Sequence, residues 1–294
     1  MAKKQPWITD AYTDHLKTSF KVKKLVARKK TKHQNVAIYD LELYGRAVIM
    51  DGVTQSCTTD EYIYHDCLIH PALLLCRSNR PLDVLVLGTG EGATMREILK
   101  HKNVASITAV DIDKEAVELF MKHLPSMHQK SYWDPKVKLV FDSAEQFLSN
   151  TDQKFDVIYS DITDYTFYEL GAGRKRSQLN FYRLIAAHLS ESGILAMHTT
   201  SLNELVNSEH FMLKRFLQKI FPAVYSYRAF IPFFVDCWGF LVASKQHSFD
   251  PRSIRQETVG RIMKKKNLKL RYLNPEMFKA IFTLPNVLKS PLKN

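Results

Sequence analysis

Cysteine is scarce in this sequence. Cys57, Cys67, Cys76 and Cys237 are the only four in 294 residues, and they form neither a CxxC pair nor a zinc-ligand spacing. A disulfide framework and a cysteine-held metal are therefore not expected, and a reducing cytoplasm is the simplest home. No apolar run is long enough to span a membrane, and residues 1–7, MAKKQPW, carry charge but no signal-peptide core. Internal repeats, low-complexity segments and a recognisable nucleic-acid-binding motif are also missing. Negative charge is in the minority, with 30 acids against 42 lysines and arginines, a formal net charge of +12. The basic residues cluster at Lys21 to Lys32 and at Lys264-Lys265-Lys266. Such a surface can bind phosphates, but these clusters sit on separate elements. Solvated faces are the favoured reading, and nucleic acid is not an expected partner.

An apolar fraction of 45% is enough for a substantial core, in one large domain or a large and a small one. The most informative stretch is Asp83 to Lys100, DVLVLGTGEGATMREILK. Val84 to Leu87 is too short for a helix and suits a strand buried on both faces. Gly88-Thr89-Gly90-Glu91-Gly92 breaks it, and a helical pattern with Met95, Ile98 and Leu99 follows. Strand, glycine turn and helix start form the crossover at which doubly wound sheets bind nucleotides, and glycines such as Gly88 and Gly90 let backbone N–H groups come close. Roughly twenty residues later a second strand, Ala105 to Val110, ends at Asp111, placed to accept from both ribose hydroxyls of an adenosine. A third, Val137 to Phe141, ends at Asp142-Ser143, level with an adenine edge. The alternative, strand-end acids serving only as helix caps, fits this order and spacing poorly.

Residues 1–65 read as a small antiparallel β domain, with strands at Val22 to Ala27, Asn35 to Leu43 and Arg46 to Asp51. Residues 66–294 read as the Rossmann-like catalytic domain. Thr59 or Asp60 caps a helix bearing Leu68, Ile69, Ala72 and Leu73. Lys114 to Leu124 is a helix, Phe155 to Ser160 a fourth strand, and the segment 165–179 a loop able to act as a lid. A helix over Asn180 to Leu189, a strand over Gly193 to Thr199, a helix over Asn207 to Ile220 and a hairpin of Tyr225 to Ile231 with Gly239 to Ser244 complete the domain. A basic helical tail runs from Ile254 to Pro285.

On the carboxyl side of this sheet lie Glu91, Asp111, Asp142, Asp161 and Asp164, with Asp236 as a sixth candidate, all expected in one crevice of a basic protein. Crowded carboxylates need a cation. Glu91 sharpens the point. Beside the glycine turn it would repel the carboxylate of S-adenosylmethionine by a few kcal/mol at ~4 Å, whereas it would attract the propylammonium of decarboxylated S-adenosylmethionine. A simple helix-dipole role for Glu91 is the competing reading.

With those residues in view, the chain resembles the polyamine synthases, the spermidine and thermospermine synthase family of aminopropyltransferases, from Trp7 to LRYLNPEMFKAIFTLP at Leu270 to Pro285. The specific pieces are DGVTQ (Asp51 to Gln55), DEYIYHD (Asp60 to Asp66), GTGEGATMREILKH, DID and DITD. GTGEG, DID and IPFFVDCWGF (Ile231 to Phe240) look closer to the thermospermine synthases and related bacterial enzymes.

The resemblance implies an S-adenosylmethionine-methyltransferase-type α/β sheet and transfer of a 3-aminopropyl group to a di- or triamine. Gln34, Gln55, His65 and Glu91 would contact the ribose-side and aminopropyl parts of the donor, Asp111 the ribose, and Asp142 with Ser143 the adenine. Asp161 would be the acid-base residue, and Tyr64, Asp164, Phe234 and Asp236 would line the acceptor site. A plain Asx turn at Asp161 and Asp164 is the bland alternative. Displacement at a sulfonium needs no metal and no further cofactor. A homodimer or homotetramer is implied, with the β domain in the contact. Tyr165 stands where the family usually has proline, and Phe234 and Leu202 stand where a tyrosine and a glutamine of the acceptor site would be. Arg174-Lys175-Arg176 are unusual over a pocket for polycations. Putrescine is the simplest acceptor, with spermidine or agmatine as alternatives. Two rival readings are a methyltransferase and a catalytically idle polyamine- or nucleic-acid-binding protein.

Overall fold

A computed structural model describes residues 6–10, 16–76, 78, 80–162 and 172–289, with the side chains of 172–176 excepted. Two sheets account for the architecture. The first is an antiparallel meander of β1 (Trp7–Thr9), β2 (Ser19–Lys30), β3 (Asn35–Leu41), β4 (Gly45–Met50) and β5 (Val53–Cys57) in sequential order. β1 and β5 were not legible in the sequence: β1 has three residues, and β5 reads VTQSC, with too few apolar residues to mark a strand. β2 outruns its expected ends because register shifts near Val22 and Leu25 break its alternation.

The second sheet contains β6 (Leu82–Leu87), β7 (Val104–Asp111), β8 (Val137–Phe141), β9 (Phe155–Ser160), β10 (Leu189–Ser201), β11 (Ala223–Ile231) and β12 (Asp236–Ser244), in the order β11-β12-β10-β9-β6-β7-β8. β12 is antiparallel to both neighbours, and the other pairs are parallel. Strand order reverses at β6, which pairs with β7 on one side and β9 on the other. The glycine turn follows that strand, at the switch point where open α/β sheets bind ligands. Val84 and Val86 pack into one core layer and Leu85 and Leu87 into the other, as a strand buried on both faces requires.

Helix α1 (Glu61–Leu75) is buried on nearly every side. Its Asp60 cap makes no side-chain capping bond. Instead the Asp60 carboxylate accepts from the Phe233 backbone N–H at 2.7 Å and from Cys57 Sγ–H at 2.9 Å. Pro71 lies inside this helix and cannot donate to the Cys67 carbonyl. Tyr227 Oη donates to that carbonyl at 3.1 Å, so the proline leaves no buried acceptor unmet.

α2 (Ala93–Leu99), α3 (Lys114–His123), the short α4 (Pro125–His128) and α5 (Ala144–Ser149) follow the sheet strands. The expected loop over 165–179 is corrected: α6 (Ala172–His188) occupies its second half. The Gly171-Ala172-Gly173 run disguised a start in which Arg, Lys, Gln and Leu, all strong helix formers, carry the helix onward. The first half of that loop, with Asp164 and Tyr165, lies outside the described residues. α7 (Ser208–Gln218) packs beside β10. The tail is not one helix but two, α8 (Gln256–Lys265) and α9 (Pro275–Ile281), with Asn267 at a positive φ between them.

The two sheets share cores. Val36, Ile38 and Val48 pack on Ala116, Phe120 and Met127, while Phe20, Val22 and Tyr39 cluster with Phe233 from the β11–β12 turn. Among the described residues no helix is long and apolar enough to cross a membrane.

Candidate active site

A cleft of about 660 Å³ opens where the small sheet faces the carboxyl ends of β6 to β10. Gln34, Gln55, Tyr64, His65, Gly88, Gly90, Glu91, Asp111, Asp142, Ser143, Asp161, Phe234 and Asp236 all line it. Asp164 lies outside the described residues. Leu202 does not line the cleft. It is fully buried beside Phe211 and Leu288, so the expectation that it stands in the acceptor site is corrected: its side chain packs in that cluster and not on the cleft wall.

Backbone geometry fixes the centre of this cleft. Gly88 has φ +86°, and a Cβ there would lie 2.4 Å from the Asp161 carbonyl oxygen. The Asp161 N–H donates to the Leu87 carbonyl at 2.7 Å. Glycine at this position is what allows β9 to deliver Asp161 beside the turn. Tyr64 Oη donates to Asp161 Oδ1 at 2.5 Å, and Thr94 Oγ1 donates to Oδ2 at 2.9 Å. Burial, reinforced by the neighbouring Asp161, raises the Tyr64 pKa well above its ordinary value, which keeps the phenol a donor.

The nucleoside side is organised by DID. Asp111 Oδ2 accepts from the Thr89 backbone N–H and hydroxyl, both at 2.9 Å. Asp113 caps α3 through the Ala116 N–H and accepts from Thr31 Oγ1 at 2.6 Å and Gln34 Nε2 at 3.0 Å. Gln34 thus reaches the cleft while tied to the neighbouring domain. Ser143 caps α5 through the Gln146 N–H, and Asp142 accepts from the Ser143 N–H at 2.7 Å. Capping and cleft lining coexist at this end. At the opposite end Asp236 is fixed by Ser201 Oγ and by Asn203 Nδ2, beside Phe234 and Trp238, whose rings lie 4.7 Å apart.

Charge in the cleft is one-sided. Asp10, Asp60, Glu61, Glu91, Asp111, Asp142, Glu145, Asp161 and Asp236 line it, whereas no lysine or arginine does so among the described residues. His65 also lines the cleft. Burial opposes its charge, but Glu61 Oε2 lies 2.9 Å from Nδ1, and the carboxylate outweighs the burial and raises the His65 pKa to about 9. Glu61 is itself buried, yet His65 and the forked Arg96, at 3.0 and 2.9 Å, hold its carboxyl below the usual range. Arg96 also reaches Glu97 at 2.8 Å, and Glu97 meets His70 at 2.9 Å and Lys100 at 2.5 Å. Asp66, His70 and Glu97 bring their ligand-type atoms within 4.8 Å of one another, but none of them lines the cleft. Arg96 and Lys100 balance the carboxylates there.

Sequence reasoning did not reach Asp10, Glu61, Thr94, His198 or Trp238. Glu61 lies within DEYIYHD and pairs with a residue 35 positions away, which nothing local announces. Asp10 accepts from Thr54 across the small sheet, a contact visible only once β1 and β5 are in place.

The chain matches the model of the spermine/spermidine synthase domain over residues 61–253. It belongs to the spermine/spermidine synthase family. Residues 6–58 match the spermidine synthase tetramerisation domain. Among curated family members it is 33% identical to polyamine aminopropyltransferase 2 of Pseudomonas aeruginosa over 90% of this chain and 75% of that protein. It is 32% identical to a thermospermine synthase of Arabidopsis thaliana over 98% of this chain and 83% of that one. Spermidine synthase from Thermotoga maritima superposes with a TM-score of 0.83 at 25% identity, covering 98% of this chain and 94% of that one. A spermidine synthase in complex with the transition-state analogue AdoDATO gives 0.84 at 26% identity, covering 98% and 95%.

Proposed function

We propose that this family member transfers a 3-aminopropyl group from decarboxylated S-adenosylmethionine to a polyamine acceptor and releases 5′-methylthioadenosine. The observation that carries this reading is the cleft's charge: nine carboxylates and no lysine or arginine among its described residues, in a protein of net charge +12. Both proposed substrates are cations. A carboxylate at the Glu91 position and the carboxylate of intact S-adenosylmethionine would repel each other by about 4 kcal/mol at ~4 Å and an effective dielectric of ~20. The decarboxylated donor avoids that repulsion.

In this reading Gly88, Gly90, Asp111, Asp142 and Ser143 receive the nucleoside, and Gln34, Gln55, His65 and Glu91 the ribose-side and aminopropyl parts. Asp161 accepts a proton from the acceptor ammonium, helped by the donors Tyr64 and Thr94 that fix its carboxylate. The freed amine lone pair attacks the methylene next to sulfur, forming the N–C bond. The C–S electron pair returns to sulfur, which leaves as a neutral thioether, and Asp161 passes its proton to water. Orientation by Tyr64, Phe234 and Asp236 supplies the near-attack geometry.

Putrescine is the simplest acceptor, supported by the likeness to spermidine synthases. Spermidine as acceptor has support in the similarity to a thermospermine synthase. The tetramerisation-domain match supports a homo-oligomer, and four unpaired cysteines fit a reducing cytoplasm. The direct test is calorimetric binding of decarboxylated and intact S-adenosylmethionine. The decarboxylated form should bind tighter, and Glu91→Gln should narrow the gap. Tighter binding of intact S-adenosylmethionine would contradict the reading and favour a methyltransferase.

A further inference from the structure

Asp66, His70 and Glu97 form a buried cluster that the proposed reaction does not use. Asp66 and His70 lie one turn apart on α1, and Glu97 meets them from α2. All three are at most 1% exposed. His70 Nε2 lies 2.9 Å from Glu97 Oε2 and 3.3 Å from Asp66 Oδ1. These atoms fall within 4.8 Å of one another. A tetrahedral zinc ion, with bonds of about 2.0–2.2 Å, sets its ligand atoms roughly 3.3–3.5 Å apart.

The Asp66 carboxylate is only half used. Its Oδ2 accepts from the Tyr272 N–H at 2.7 Å and the Leu273 N–H at 3.2 Å. Oδ1 is buried without a hydrogen bond and faces His70 Nε2. A buried carboxylate oxygen left in this way costs free energy until a cation or donor meets it. On the far side of the His70 ring, Nδ1 lies 2.9 Å from Nε2 of the fully buried His101. Burial, and then the neighbouring His70, lowers the His101 pKa, so His101 is neutral and can accept the His70 Nδ1–H. Metal-bound histidines are oriented by a contact of this kind. Glu97 also lines a second cavity, of about 300 Å³, together with Arg96 and Lys100. Arg96 holds Glu97 Oε1. Lys100 Nζ lies 2.5 Å from Oε2, but its side chain is 32% exposed and can swing to solvent.

We propose that Asp66 Oδ1, His70 Nε2 and Glu97 Oε2 bind one divalent transition-metal ion, with zinc the best fit, and that water from the second cavity fills the fourth position. The ion takes the place of the His70 Nε2 proton and of the Lys100 ammonium beside Glu97. Two carboxylates match its charge, and the imidazole supplies the nitrogen ligand that zinc favours over magnesium or calcium. Its role is to clamp α1 to α2. Those helices carry Tyr64 and Thr94, the two donors that fix Asp161. No step of the transfer passes through the ion, so the proposal stands apart from that reading.

The test titrates the full chain, freed of metal with a chelator, with zinc chloride in a calorimeter, alongside Asp66→Asn, Glu97→Gln and Lys100→Met. Wild type should bind one zinc per chain, and zinc should raise its melting temperature. Asp66→Asn keeps an acceptor for the Tyr272 and Leu273 N–H groups. That variant and Glu97→Gln should each bind zinc about tenfold more weakly or worse. Lys100→Met removes the competing ammonium and should bind zinc severalfold more tightly, a gain that misfolding cannot imitate. No zinc binding by wild type would overturn the proposal and leave the cluster as a histidinium–carboxylate lock between the helices. Equal binding by all four proteins would mean surface sites only and would overturn it too, as would a loss of binding in Lys100→Met.

Discussion

Asp161 is held by three constraints at once: its own N–H on Leu87, the Tyr64 phenol on one carboxylate oxygen and the Thr94 hydroxyl on the other. A carboxylate fixed in this way has lost its freedom before any substrate arrives, which suits a proton acceptor that must meet a small amine. Asp161→Asn keeps the shape and removes the basicity. Its kcat should fall about a hundred- to ten-thousand-fold, with donor binding by calorimetry near that of wild type. A near-normal rate would remove Asp161 from the mechanism. Tyr64 was legible in DEYIYHD, and Asp161 in the acid at the fourth strand's end. His198 was not, because a run such as AMHTTS does not show that its strand will lie beside the one that ends at Asp161.

At the scale of elements, the β6–turn–α2 unit and the carboxyl end of β9 form one piece. Gly88 is the joint: Ala at φ +86° costs about 1–2 kcal/mol for the backbone alone. The clash of its Cβ with the Asp161 carbonyl adds about 1–3 kcal/mol. Gly88→Ala should therefore melt lower in calorimetry and lose activity, and a variant matching wild type in both would contradict the fit of turn to strand. This unit was readable because strand, glycines and helix are contiguous in sequence.

The Glu61–Arg96–Glu97 network beneath it was not readable, since its partners come from α1 and α2 and meet only through packing. That network also sets a pH dependence. His65 and His70 both have pKa values raised in the folded chain, against burial, by Glu61 for His65 and by Asp66 and Glu97 for His70. Their contribution to stability is complete below the unfolded histidine pKa of ~6.5. It is lost as pH rises, for His65 through about 9. Thermal melts from pH 6 to pH 10 should show Tm falling, and His65→Gln should flatten part of that fall. An identical slope in the variant would refute the assignment.

For the whole molecule, the contrast between a basic exterior and an acid-lined cleft is the organising fact. Composition alone gave the exterior, and the strand-end acids gave half of the cleft. The remaining wall comes from the small sheet, whose β1 and β5 lack a clear strand pattern and whose Asp10 is placed only by tertiary contact. The docking of that sheet through Phe120, Met127 and Phe233 makes the cleft two-sided. The match of residues 6–58 to a tetramerisation domain predicts a homo-oligomer in solution. Light scattering should give a mass of two or four times the 34.0 kDa chain, and a monomer at working concentration would count against it.

The most direct measurement is a product assay with decarboxylated S-adenosylmethionine and putrescine, agmatine or spermidine in separate reactions, following methylthioadenosine and the amine product by mass spectrometry. Methylthioadenosine should appear with at least one amine, in step with an acceptor heavier by one aminopropyl group, and putrescine is the first expected to give it. No methylthioadenosine with any of the three would contradict aminopropyl transfer by this cleft.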